Sequence, residues 1–191
     1  MSSLKSNFDE LRRRVRDGRE LGYASFEPIY YLVFPPQEII NVKRQAPAWI
    51  ASLRNDGWDV QTFSIAEQVN DIFTNYPLRN VWLAADRNSP LEWARTNKSL
   101  ANALTVNRDL LNRLERFLEQ FAGRKNALIL VTDLESLHPY LRSRTLESEL
   151  QGKFHAPTVF LYPGTRTGKT GLKFLGFYKE DGDYRSVHIG G

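Results

Sequence analysis

Residues 163–170 read Pro-Gly-Thr-Arg-Thr-Gly-Lys-Thr, one residue short of the G-x-x-x-x-G-K-[ST] loop that cradles phosphate. Such a loop works because it leaves a strand and at once opens a helix, whose unpaired N–H groups and dipole face the anion. An apolar strand pattern does precede it, at 158–162. The residues after it, Gly171-Leu172-Lys173-Phe174-Leu175-Gly176-Phe177-Tyr178, are glycine-spaced, aromatic and alternating, a second strand pattern. Lys169 and Thr170 therefore read as part of a basic turn between strands. Asp133 closes the apolar run 127–132 and is the one carboxylate placed like a Walker B or catalytic aspartate. Its plainer role is to cap the next helix, since a general acid or metal site needs a second convergent group and the sequence shows none.

The other reactive types are scattered. His138, His155 and His188 lie far apart with no H-E-x-x-H spacing, there is no G-x-S-x-G elbow, and there is no cysteine. Cysteine-free composition excludes thiolate chemistry, disulfides and cysteine-held zinc. Arg142 and Arg144 flank Ser143 beside His138 and Tyr140, and a pair of arginines can grip phosphate or carboxylate; an exposed salt-bridged turn is the plainer account. The net charge of +4 comes from 26 Lys+Arg against 22 Asp+Glu spread along the chain, so nucleic acid or an acidic protein is a plausible partner.

The elements that must position these groups are set by periodicity. The 191 residues fit one domain, 1–191, with a core large enough to fold without staples. The charged stretch 12–19 and the lack of a long apolar run point to a soluble, cytoplasmic protein without a membrane segment. Asn7-Phe8-Asp9-Glu10 has the form of a capping box, and Phe8, Leu11 and Val15 line one helix face that should stop near Gly18. Residues 29–34 form a continuous apolar strand closed by Pro35-Pro36. Pro47 belongs in a first helical turn, which puts a helix from about Gln45 to before Gly57 with Trp49, Ile50 and Leu53 inward. A strand at 58–63 leads into a second capping box, Ser64 to Glu67, and a helix ending before Pro77. Residues 78–88 fit strand or helix, and Ser89-Pro90-Leu91-Glu92 resembles a helix start. Leu110, Leu111, Leu114, Phe117, Leu118 and Phe121 give the clearest amphipathic stripe, over 107–122.

Continuous apolar strands at 29–34, 127–132 and 158–162, alternating with helices, predict an α/β fold. The expected architecture is three-layered, with a mostly parallel sheet, helices on both faces and a C-terminal antiparallel hairpin at one edge. The hairpin arms are read as 172–177 and 184–189, around Glu180-Asp181-Gly182-Asp183.

Four blocks carry a resemblance. His138-Pro139-Tyr140-Leu141-Arg142-Ser143 leading to Leu146 and Leu150, then Tyr162-Pro163-Gly164-Thr165, Leu172-Lys173-Phe174-Leu175-Gly176 and Asp183-Tyr184-Arg185, resemble successive blocks of the BrxB family of bacteriophage exclusion (BREX) systems. The strand and proline turn leading to Glu38 and Val42, and Gly57 before the next strand, are similar too. The likeness covers most of the chain and is most specific in its C-terminal third. Ser186 after Arg185, and Phe34-Pro35-Pro36 where an acidic residue is common, depart from the family pattern. In the family the block after the strand is P-G-T and not a nucleotide loop.

The resemblance implies a small cytosolic anti-phage defence component, antiviral in role, without an established activity. Its partners would be the alkaline-phosphatase-like PglZ, the ATPase BrxC and the methyltransferase PglX, among which it would serve as a non-catalytic assembly subunit. Association with DNA would be indirect, no cofactor is implied, and no catalytic residue carries over. Arg142, Arg144, Tyr184 and Arg185 are the candidates for a docking or structural cluster, arginine and tyrosine being enriched in binding hot spots. Tyr184 and Arg185 would otherwise simply finish the edge hairpin. Two alternatives remain open: a nucleotide-binding or hydrolytic enzyme using Asp133 and Lys169, and a direct nucleic-acid binder whose affinity falls steeply with salt.

Overall fold

The computed structural model describes residues 3–21, 27–168, 171–182, 184 and 186–191. Its first helix, α1 (Leu4–Leu21), starts earlier than the Asn7 box and runs past Gly18. Ser3 does the capping, its Oγ accepting from the Ser6 N–H at 3.1 Å. Asn7 instead lies buried one turn in, on the same inward side as Phe8, Leu11 and Val15. Strand β1 (Ile29–Phe34) is buried at every position, as its unbroken apolar sequence requires.

A 3-10 turn at Pro36–Glu38 leads into α2 (Ile39–Asn55), so Pro47 falls at the ninth helical position and not in a first turn. An interior proline costs about 3 kcal/mol by removing one hydrogen bond and crowding the preceding turn. Val42, Trp49 and Leu53, buried at helical spacing, offset that cost, and Pro47 itself is exposed, where water can serve the orphaned carbonyl of Lys43.

Next come β2 (Asp59–Ser64) and α3 (Ile65–Asn75), where Ser64 Oγ accepts from the Glu67 N–H at 3.2 Å as the capping box predicts. The stretch that fits strand or helix by sequence is helical: α4 (Arg79–Asn88) precedes α5 (Trp93–Thr105) and α6 (Asp109–Glu119), the last burying Leu110, Leu111, Leu114 and Leu118. Each such leucine contributes about 1.5–3 kcal/mol relative to an exposed one. The chain continues through β3 (Ala127–Thr132), a 3-10 turn at Leu134–Leu137, α7 (Ser143–Glu149), β4 (Thr158–Thr167), β5 (Gly171–Phe174) and β6 (Val187–Gly190).

The fold is α/β, with a mostly parallel sheet in the order β2-β3-β4-β1-β6 and β5 paired to β4. Side chains alternate across each strand. Leu32 and Phe34 of β1 face α1 and α2 in one core, with Leu128, Leu130 and Leu161. Tyr31 and Val33 face the opposite core, built by α3, α6, α7 and the turn after β3. Helices therefore cover both faces, as right-handed crossovers travelling in opposite directions demand.

The antiparallel hairpin has different arms from those expected. β4 runs on past Tyr162 to Thr167 and pairs with β5, while β6 lies parallel to β1 at the edge, Tyr31 opposite His188. Among the described residues between β5 and β6, one isolated bridge joins Asp181 to Leu172. Alternation alone reports extended backbone and not its partner.

Candidate functional site

In open α/β sheets the crevice for ligands lies beyond the carboxyl ends of the strands, where successive connections leave on opposite faces. Here α2 leaves β1 over one face and the turn after β3 leaves over the other. Between them sits a cavity of about 280 Å³ walled by Phe34, Ile39, Val42, Ala46 and Leu161, with Lys43, Thr132, Asp133 and Glu135 on its rim. Asp133 adopts the left-handed conformation, φ 61°, at the strand end.

Its carboxylate does not cap the turn that comes next. Oδ2 instead accepts from Ser64 Oγ and Thr132 Oγ1, both at 2.7 Å, two residues that sit opposite each other in the β2–β3 register. Oδ1 meets Lys43 Nζ at 2.6 Å, and the same ammonium reaches Glu135 Oε1 at 2.7 Å. Burial pushes the Asp133 carboxyl up, but hydrogen bonds from Lys43, Thr132 and Ser64 outweigh it and hold the group below the ordinary carboxylate range. Burial alone would lower the Lys43 ammonium; Asp133 and Glu135 together raise it.

The second group convergent on Asp133 thus exists, but it comes from α2, far away in sequence, which local spacing could not reveal. A general base at neutral pH needs a raised pKa and an open lone pair. Asp133 has a lowered pKa and three partners, so the geometry makes it a clamp between α2 and the ends of β2 and β3.

The near-miss phosphate loop is accounted for by pairing. Pro163 to Thr167 belong to β4, and β5 opens at Gly171 where a phosphate loop would open a helix. A Cβ at Gly164 would strike the Lys173 carbonyl oxygen and the Tyr162 ring, so that glycine serves strand packing. Lys169 lies outside the described residues, as does Arg185.

The other sequence candidates are not brought together on one surface. The Arg142 guanidinium lies 4.2 Å from the centre of the Tyr178 ring and donates to Asp181 Oδ2 at 3.4 Å, pinning the segment after β5. Arg144 is exposed on α7. Tyr184 is 5% exposed and points inward, edge-on to Tyr31 at 5.3 Å and to His188 at 5.5 Å between ring centres. Around it the phenols of Tyr31 and Tyr162, Ser143 Oγ and the buried Glu147 form a polar core that sequence reading missed, its members being dispersed from residue 31 to residue 184. Burial, foremost, drives the Tyr31 hydroxyl well above its usual range and the Tyr184 hydroxyl up to about 12, so both stay protonated. Ser186 Oγ donates to Glu147 Oε2 at 3.2 Å and meets His188 Nε2 at 3.2 Å. Burial, helped by Arg166, lowers His188 to about 4.

A different surface stands out on the crossover from β2 to β3. Five of the nine exposed large hydrophobic residues among the described residues fall within 78–93: Leu78, Val81, Leu83, Leu91 and Trp93. One side chain of α4 is buried, Trp82, whose Nε1 donates to Ser99 Oγ at 2.8 Å and whose ring stacks on Tyr76. Among the described residues no helix is long and apolar enough to cross a membrane.

The family model described as BrxB, BREX protein BrxB, matches residues 71–189, over half of the chain and inclusive of this exposed segment, Asp133 and every member of the tyrosine core except Tyr31. No curated protein and no solved structure matches.

Proposed function

The chain belongs to the BrxB family and is a component of a BREX anti-phage system; from that premise we propose that it is a non-catalytic assembly subunit. The observation that carries this reading is the state of Asp133. The one carboxylate placed for catalysis by strand position is committed to Ser64, Thr132 and Lys43 and held in its charged form. It acts as a fastener in the frame and holds no proton to exchange near neutral pH. In this reading the frame presents outward-facing side chains to the phosphatase-like PglZ, the ATPase BrxC and the methyltransferase PglX, and reaches DNA through them. Arg142 pins the segment after β5 at the edge of the frame, Tyr184 packs inside it, and Arg144, exposed on α7, is the member of that set offered to a partner.

Pairwise co-purification of the whole protein with each of the three components tests the reading, and a stable pair is the expected result. ATP and magnesium binding tightly to the isolated chain, and lost in Lys169→Ala, would overturn it in favour of the nucleotide enzyme. DNA binding by the isolated chain with a steep salt dependence would overturn it in favour of a direct nucleic-acid protein.

A further inference from the structure

We infer that residues 78–98, formed by α4, the link after it and the first turns of α5, are the surface by which this chain docks on an acidic-rimmed apolar groove of another protein. The inference rests on the assembly-subunit reading and adds the place and the partner chemistry.

Scattered exposed apolar residues are ordinary on any protein. A concentration of them is not, and marks an interaction surface. Leu91 is 89% exposed, Trp93 64% and Val81 60%, with Leu78 and Leu83 close to half exposed. The fold does not require this arrangement: Trp82 is the one buried side chain of α4, so its other positions are open to polar residues at no cost to the core. Tryptophan is the residue type most enriched where a few side chains dominate binding.

Charge then selects the partner. Arg87, Arg95 and Lys98 are exposed in the same stretch and make no ion pair or hydrogen bond among the described residues. That contrasts with Arg12, Arg108, Arg113 and Lys153, each of which is paired to a carboxylate within the chain. Opposing them locally are two carboxylates, Asp86 and Glu92. Unpaired cations in the same stretch as exposed apolar residues match a groove edged with aspartate and glutamate, which would steer association and set orientation. Nucleic acid fits less well. Phosphate offers nothing to Leu78, Val81, Leu83 and Leu91, and surfaces that bind it are more polar and more strongly basic.

The experiment measures affinities of the full chain for each purified companion component, alongside the variants Leu91→Asp, Trp93→Ala and the double charge reversal Arg87→Glu with Arg95→Glu. Trp93→Ala or Leu91→Asp is expected to weaken the productive pair by at least about 30-fold, as loss of a dominant contact does. The charge reversal is expected to slow association and to flatten its dependence on salt. All of these side chains are exposed, so thermal melts should match the parent and misfolding is excluded as a cause. A stable pair untouched by the variants overturns the docking surface and leaves the assembly reading standing. Failure to pair with any component overturns both. Self-association abolished by Trp93→Ala, or DNA binding abolished by the charge reversal, replaces the acidic partner by a second copy or by nucleic acid and overturns the inference.

Discussion

Trp49 and Trp93 belong to two of the crossovers of one sheet and end in opposite surroundings. Trp49 sits in α2, between β1 and β2, 6% exposed and stacked on Phe8 with ring centres 4.8 Å apart. Trp93 sits at the start of α5, between β2 and β3, 64% exposed. The first crossover is a single helix, so its whole apolar stripe is needed to cover the sheet face it spans. The second contains α3 to α6, and α3 with α6 already covers the opposite face. α4 and the start of α5 are surplus to that cover: Trp82 is the one buried side chain of α4, Ala103 and Leu104 at the far end of α5 join the buried residues, and Leu78, Val81, Leu83, Leu91 and Trp93 stay exposed. A long connection in an α/β fold is therefore where to look for function when the strand ends are occupied by structural contacts.

The comparison is broken most sharply by truncating both rings. Trp49→Ala should cost about 3–5 kcal/mol in urea unfolding, as large-to-small core changes do. Trp93→Ala should stay within about 0.5 kcal/mol, as an exposed position does. Equal losses would mean that Trp93 is a core residue and that the second crossover has no surplus.

A smaller effect probes what fastens the first crossover to the strand ends. Asp133→Asn keeps the shape but loses the ion pair with Lys43, and should cost about 2 kcal/mol, the range for a hydrogen bond to a charged group. Because the folded-state pKa lies below the ordinary value of 3.8, this contribution is present above that pH and disappears as the pH falls through the folded value. The parent should lose it on acidification and the variant should have nothing there to lose, so parallel acid titrations of the two would contradict the clamp.

His188 reports on the sheet face shared with the second crossover. Its folded pKa is about 4 against an ordinary 6.5, so the unfolded chain binds the proton first. Stability should fall as the pH drops from about 6.5 to about 4, and His188→Gln should flatten that slope in pH-resolved melts. Ser64→Ala gives a smaller change than Asp133→Asn. Loss of the α3 cap should cost about 1 kcal/mol, with a slightly larger loss if the missing donor to Asp133 also counts, and Asp133→Ala as a second background separates the two roles in a double-mutant cycle.

The frame was largely legible in the sequence because its signals are local. The apolar run 29–34 lies in register with two parallel neighbours, the Ser64 box caps α3, and the stripe from Leu110 to Leu118 is buried as read. Local readings failed where a distant contact decided. Pro47 has the look of a helix start, yet Val42, Trp49 and Leu53 carry the helix through it. Asn7 has the look of a cap, and is drawn under the sheet while Ser3 takes over. The strand at 187–190 reads as the partner of its neighbour in the chain and instead finds β1. Of the candidate site, Asp133 is visible as a residue, but its partner Lys43 is not. Arg142 and Tyr184 are visible as types and are sorted by the fold to a pinned edge and to the interior.

Period, caps and composition by themselves determined that this chain makes a helix-covered parallel sheet without cysteine chemistry, because those properties depend on neighbours a few residues apart. Tertiary structure alone decided that Lys43 quenches Asp133, that three tyrosines meet in the core, and that Trp93 stays outside while Trp49 goes in. Each of these depends on which distant segments share a face of the sheet, and side-chain burial and charge pairing are settled only once those segments meet.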